Sequence, residues 1–249
     1  MLLSPKFFPL PMPECPKKTI FARVRKKYVM KKMIFLCLLW LCSSFPVSAA
    51  IPIRVACIGN SITYGARITD RDTDSYPAVL GSLLGEAYQV ENFDLSGRTL
   101  SRNTGRPYVL EPRYQEALAY RPDIVVIKLG TNDAQPRYQT GRESVRSTLN
   151  ELIDSFLTVN PDARVYLCLP VPVFGSNDYT IDPEQVADPI CQWITEVARQ
   201  RELPLIDLYT ALSGQEAHFP DRVHPNEAGA RLIAEEVYRV LTEQNNGQK

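Results

Sequence analysis

The sequence predicts an α/β fold, a three-layer α/β/α sandwich around a five-stranded parallel sheet. Three observations carry this reading. From Ile53 onward, short apolar runs alternate with segments of helical periodicity. The first runs are continuously hydrophobic, as parallel strands covered on both faces are. The turns Gly59-Asn60-Ser61, Ser96-Gly97 and Gly130-Thr131-Asn132-Asp133 each stand just beyond such a run. A parallel sheet gathers its strand ends along one edge, and that is where ligands bind.

The elements follow in order. Strands are expected over Ile53–Ile58, Tyr88–Phe93, Ile124–Leu129, Arg164–Leu169 and Leu205–Ile206. Between the third and fourth, Val145, Leu149, Leu152, Ile153, Phe156 and Leu157 recur at helical spacing. Asn160-Pro161-Asp162 stops that helix. A second apolar stripe runs over Pro189–Arg199 through Ile190, Trp193, Ile194 and Val197. A last helix, after Pro225-Asn226, carries Leu232, Ile233, Val237, Val240 and Leu241. Alternation of this kind requires right-handed crossovers between parallel strands.

The first fifty residues read differently. Lys31-Lys32 precede the apolar run Met33–Cys42, and small residues lead to Ala49-Ala50. This is the pattern of a signal peptide, with Met30 as the expected start of translation and cleavage near Ala49–Ala50. The run is shorter than the ~20 residues of a membrane span, so an exported protein, periplasmic or secreted, with no stable span after cleavage is expected. Residues 51–249 then form one domain large enough for an adequate core. Nine of the 28 Lys and Arg lie in the leader, against one of the 28 acids, Glu14. The remainder holds 19 basic and 27 acidic residues, a net charge of −8. That sign argues against nucleic acid as a partner.

Ser61 and His224 give the chain its chemistry. A serine hydroxyl is a poor nucleophile until a base takes its proton, and the base needs a partner that fixes its tautomer. The chain has two histidines, and only His224 has a carboxylate three residues before it, Asp221. His218 has Gln215 there instead and reads as a loop or pocket-wall residue. Singly, each glycine-bearing turn fits an ordinary connection or a helix cap. Together, at successive strand ends, they point to one catalytic crevice. Cys57, Cys168 and Cys191 lack metal-ligand spacing, and neither a metal nor a cofactor is implied. Lys128 reads as a structural lysine reaching past the end of its strand, and Asp133 as a loop-bracing carboxylate.

Taken in order, Gly59-Asn60-Ser61, Ser96-Gly97, Gly130-Thr131-Asn132-Asp133 and Asp221-x-x-His224 resemble the four sequence blocks of the SGNH (GDSL-like) hydrolases. The resemblance covers about Ile53 to Leu241. It implies a flavodoxin-like strand order 2-1-3-4-5, a Ser61–His224–Asp221 triad, and an oxyanion hole from Ser61, Gly97 and Asn132. Asn60 departs from the Asp usual before the serine, and Asp94 from a Gly common before the second block. The stretches Ile127–Asp133 and Tyr166–Phe174 look like the secreted carbohydrate O-acetylesterase branch, which includes sialate O-acetylesterase-like and acetylxylan esterase-like proteins. The expected substrate is an acetylated glycan or another small ester, with the sugar left open among sialic acid, xylan and other glycans. Tyr64, Arg98 and Asn103, with Arg106, lie on loops after the motifs and are the expected substrate-binding residues. A lysophospholipase or thioesterase of the same fold, an O-acetyltransferase and a non-catalytic glycan-binding module are the alternatives.

Overall fold

The computed structural model describes residues 27–28, 31 and 51–246, with side chains to residue 243. The chain divides into two units, Met1–Ala49 and Ala50–Lys249. In the first, Lys27, Tyr28 and Lys31 are described, and they are helical. The signal-peptide reading, with its start at Met30 and cleavage near Ala49–Ala50, lies outside the described residues. No helix among the described residues is long and apolar enough to cross a membrane.

The second unit is built on five parallel strands in the order β2-β1-β3-β4-β5. They are β1 Ile53–Gly59, β2 Tyr88–Asp94, β3 Ile124–Lys128, β4 Arg164–Cys168 and β5 Leu205–Ile206. Successive side chains on a strand point to opposite faces, and the core divides accordingly. Ala56, Ile58, Val125, Ile127, Val165 and Leu167 pack into one apolar cluster; Val55, Cys57, Ile124, Val126, Tyr166 and Cys168 pack into another. Helices α1 (Tyr76–Leu84) and α5 (Glu227–Asn246) cover the second face. Helices α2 (Pro112–Ala119), α3 (Arg142–Val159) and α4 (Cys191–Gln200) cover the first. The three-layer α/β/α sandwich and five-stranded parallel sheet predicted from the sequence are the observed architecture.

Two details differ from the sequence reading. Strand β2 is not continuously apolar; Gln89 and Glu91 face solvent. It is the edge strand, paired only to β1, so half its surface stays wet. The stripe expected from Pro189 becomes regular helix only at Cys191, because Asp188 is extended (φ −154°). A residue before proline is pushed out of the helical region by the ring.

Gly59 ends β1 where nothing larger fits. A Cβ there would lie 1.9 Å from the Thr63 Oγ1 and 3.0 Å from the Lys128 carbonyl oxygen. The chain can therefore turn from β1 directly into the short helix Ser61–Tyr64, held against the neighbouring strand. Asn60 caps that helix, its Oδ1 accepting from the Ile62 N–H at 3.4 Å. The cysteines Cys57, Cys168 and Cys191 are free and buried. Burial pushes the thiols of Cys57 and Cys191 up to about 12 and that of Cys168 upward too, so all three are inert thiols of the core.

Candidate active site

The strand ends converge as the topology requires. Ser61 follows β1, Gly97 follows β2, Asn132 follows β3, and His224 arrives on the loop before α5. All four line one cavity of about 560 Å³. Ser61 opens its short helix, so its N–H has no carbonyl a turn earlier to bond. Gly97 adopts φ +74°, a left-handed conformation that favours glycine. Asn132 is buried, and its Nδ2 donates to the Arg98 carbonyl at 2.9 Å. An amide nitrogen carries two protons, so one remains for a ligand.

The His224 Nε2 lies 2.8 Å from the Ser61 Oγ, and its Nδ1 lies 2.9 Å from the Asp221 Oδ2. Asp221 also accepts backbone N–H bonds at Oδ1, from Val223 at 3.0 Å and His224 at 2.6 Å. Burial raises the Asp221 carboxyl, but the backbone and ring N–H groups of His224, with the Val223 N–H, outweigh it and hold the group down at about 2. Burial moves His224 the other way, below its ordinary value of 6.5; the Asp221 carboxylate opposes this, and Lys128 and Arg67 add to it. The imidazole is thus a free base at neutral pH, hydrogen-bonded on one side to a fixed carboxylate and on the other to a hydroxyl. Such a pair can take a proton from Ser61 and return it to a leaving group.

Several supporting residues now have definite places. Asp133 is buried and accepts from the N–H groups of Leu100 at 2.8 Å and Ser101 at 2.7 Å. Burial pushes it up to about 7 against those two bonds. It ties the loop after β2 to the end of β3, and so ties Gly97 to Asn132. Lys128 corrects the sequence reading. It does not reach water but is fully buried with no hydrogen-bond partner for its Nζ, and burial pushes it down to about 8. Asp94 is half-buried and raised to about 6 by burial, with Arg113 and Arg71 opposing. The His218 carbonyl accepts from Asn226 at 2.9 Å, which braces the start of α5.

Tyr64, Arg98 and Asn103 do not line the cavity. The Tyr64 ring carries the Arg71 guanidinium at 3.8 Å, Arg98 is paired with Glu111, and Asn103 lies exposed in a 3₁₀ turn. Arg106, expected with them, does line it, and the rest of the wall includes Gln135, Arg137, Asp178, Tyr179 and Ile181. Among the described residues, no group of three or more His, Cys, Asp or Glu is arranged to hold a metal ion.

Fold and site together define the class of scaffold, a parallel α/β sheet whose strand-end crevice holds Ser61, His224 and Asp221 in contact. Residues 57–232 match the model of the GDSL-like lipase/acylhydrolase family, and the chain belongs to that family. An acetylxylan esterase of Xylanibacter ruminicola is 38% identical over 218 residues, which cover 79% of this chain and 44% of that protein. The chain therefore spans about half the length of this relative. Among solved structures, a carbohydrate acetylesterase from Sinorhizobium meliloti aligns with a TM-score of 0.64 at 18% identity, over 77% of this chain and 99% of that one. An acetyl xylan esterase aligns at 0.60 and 22% identity, over 76% of this chain and 100% of that one. The aryl esterase of M. smegmatis aligns at 0.61 and 19%, over 76% of this chain and 98% of that one. At these identities the structural matches establish the shared fold.

A base that is buried and neutral, as His224 is, sets an acid limit on any reaction it serves. Activity should rise with pH as His224 loses its proton. An ordinary histidine would place that rise at roughly pH 6–7. The depressed His224 moves it lower, so the midpoint of a kcat/KM profile should lie below pH 6.5. A midpoint above 6.5 would contradict the buried environment described here.

Proposed function

We propose that this protein is a serine esterase that removes O-acetyl groups from carbohydrate. Ser61 is the nucleophile, His224 the general base and acid, and Asp221 the residue that fixes the imidazole. The observation that carries the reading is the 2.8 Å contact between the Ser61 Oγ and the His224 Nε2 inside a cavity shared with Gly97 and Asn132. His224 takes the Ser61 proton as Oγ attacks the acetyl carbonyl. The negative charge that forms on the carbonyl oxygen meets the N–H groups of Ser61 and Gly97 and the free amide proton of Asn132. His224 then gives its proton to the sugar oxygen, which leaves and keeps the acetyl group on Ser61. Water, deprotonated by His224, attacks that ester; His224 returns the proton to the Ser61 Oγ as its bond to the acyl carbon breaks, and acetic acid departs and ionises in solvent.

The carbohydrate part rests on the acetylxylan esterase relative and on the lining of the cavity. Arg106, Gln135, Arg137, Asp178 and Asn132 put hydrogen-bonding groups on its wall beside about as much apolar surface. A sugar can use both, its hydroxyls meeting the polar groups and its ring face the apolar surface. The test is mass-spectrometric loss of acetyl from a panel of acetylated xylan, sialic acid and pectic oligosaccharides. Release from at least one class is expected, and a preference for long-chain aryl esters with no glycan turnover would overturn the reading. Export after cleavage near Ala49–Ala50 belongs to the same proposal, and N-terminal sequencing of the native protein checks it.

The oxyanion donors make a separate prediction. Charge exists on the carbonyl oxygen only in the transition state, so losing a donor lowers kcat more than it weakens ground-state binding. Asn132→Ala should lower kcat by roughly 10²–10³ with little change in KM. Unchanged kcat with a raised KM, measured on a soluble acetylated sugar, would place Asn132 among the substrate-binding groups instead.

A further inference from the structure

Asp221 has more partners than its role in the triad requires. Its Oδ2 accepts from the Arg67 Nε at 3.0 Å and the Tyr179 hydroxyl at 3.1 Å, besides His224. The Arg67 guanidinium also reaches the Tyr179 hydroxyl, at 3.5 Å. The Tyr179 ring stands edge-on to the His224 ring, 4.8 Å between centroids and 83° between planes. Arg67 itself sits at φ +76°, a conformation uncommon for a residue with a Cβ and found where the surroundings hold it for a purpose. The turn that imposes it is tied to the nucleophile, since the Ala66 N–H donates to the Ser61 carbonyl at 2.9 Å.

From this geometry we infer that Arg67 and Tyr179 are positioning residues, which act on His224 through Asp221 and extend the esterase's working range toward acid pH. The inference rests on the triad proposed above. The physical cause is charge. When His224 takes the Ser61 proton it becomes a cation, and Asp221 stabilises it. A guanidinium on the same carboxylate oxygen competes for that stabilisation and repels the imidazolium. The base is thus kept from protonating in mildly acid solution. Tyr179 shares the oxygen as a neutral donor and packs the ring, so Asp221 cannot rotate away. The charged and titratable groups around His224 are Asp221 from its own loop, Arg67 from the segment after Ser61–Tyr64, Lys128 from β3 and Tyr179 from the segment after β4. Lys128 acts in the same sense as Arg67 but is buried. The Arg67 side chain is 56% exposed, so its share alone should be screened by salt.

The test is the pH profile of kcat/KM for a small aryl acetate. Arg67→Gln removes the charge, keeps a side-chain donor and carries the same Cβ at the same backbone angle. Its acid limb should move to higher pH, so that the loss at about pH 5 exceeds the loss at about pH 8 by roughly two- to fivefold. Arg67→Lys should restore the wild-type limb in large part. Tyr179→Phe, which removes one neutral donor from Asp221, should move the limb the same way by less. In the wild type, raising ionic strength should move the limb toward that of Arg67→Gln. An equal loss at every pH, or a limb that salt leaves in place, would reduce Arg67 to a structural brace and overturn the inference. The wild-type salt series needs no variant to fold. Ser61→Ala separates the two readings: full activity there sinks the triad, whereas an inactive Ser61→Ala with an unmoved Arg67→Gln limb sinks only the role of Arg67.

Discussion

Ser61→Ala should abolish turnover while leaving the fold intact. The Oγ makes its hydrogen bond to His224 at 2.8 Å, and its loss removes the atom that attacks. It leaves the Asn60 cap and the turn around Gly65 in place, since these use Asn60 Oδ1 and backbone groups. Thermal unfolding should therefore stay near wild type. A drop in kcat on the order of 10⁴–10⁶ is expected, with residual rate from the remaining donors and from substrate positioning. Acetate release from a short aryl ester and from an acetylated oligosaccharide should fall together. A folded Ser61→Ala protein with near-normal turnover on either substrate would remove Ser61 from the mechanism. Retained binding of acetylated sugar by the inactive variant would show that the cavity recognises its ligand independently of the nucleophile.

The sequence made the sheet legible because its central strands are dry on both faces. The run Ile124–Ile127 is apolar and buried at every position, and Lys128, buried too, is the polar residue that closes it. The edge strand β2 was legible in place but not in character, because the strand that ends up at the edge is fixed by topology and not by local composition. Helices α1 and α2 escaped notice for opposite reasons. In α1 apolar residues lie on most sides, so no stripe stands out, and α2 is two turns long with only Tyr114 and Ala117 buried. Ser61, Asp221 and His224 were legible because Asp221-Arg222-Val223-His224 is a local spacing, and one loop can bring those two side chains together without help. Of the cavity wall, Arg106 was legible and the rest was not. Tyr179 lies 42 residues from Asp221 and Arg67 lies 154 from it, and neither belongs to a motif. Tyr64, Arg98 and Asn103 stand near the motifs in sequence, yet Arg71 and Glu111 engage the first two of them elsewhere. Chain proximity places a residue on the right loop but does not aim its side chain.

Asp221→Asn tests that crowded carboxylate most severely, because every partner of Asp221 is a donor. Oδ1 receives the N–H groups of Val223 and His224; Oδ2 receives the His224 Nδ1, the Arg67 Nε and the Tyr179 hydroxyl. Asparagine has one acceptor oxygen and one donor nitrogen. If its NH₂ takes the place of Oδ1, it meets two backbone N–H groups that no rotation can turn away. If it takes the place of Oδ2, it meets a guanidinium N–H and forces the His224 Nδ1 to accept. The ring proton then lies on Nε2, pointing at the Ser61 Oγ, and the base can no longer take the serine proton. The second arrangement keeps both backbone bonds and is the one expected. Turnover should fall by about 10⁴, as in serine hydrolases whose histidine is held in the wrong tautomer. The imidazolium formed during the reaction would also lose its counter-charge while Arg67 stays beside it. Activity within tenfold of wild type, in an Asp221→Asn protein whose fold is verified by circular dichroism, would mean that Asp221 anchors the loop and does not set the tautomer of His224.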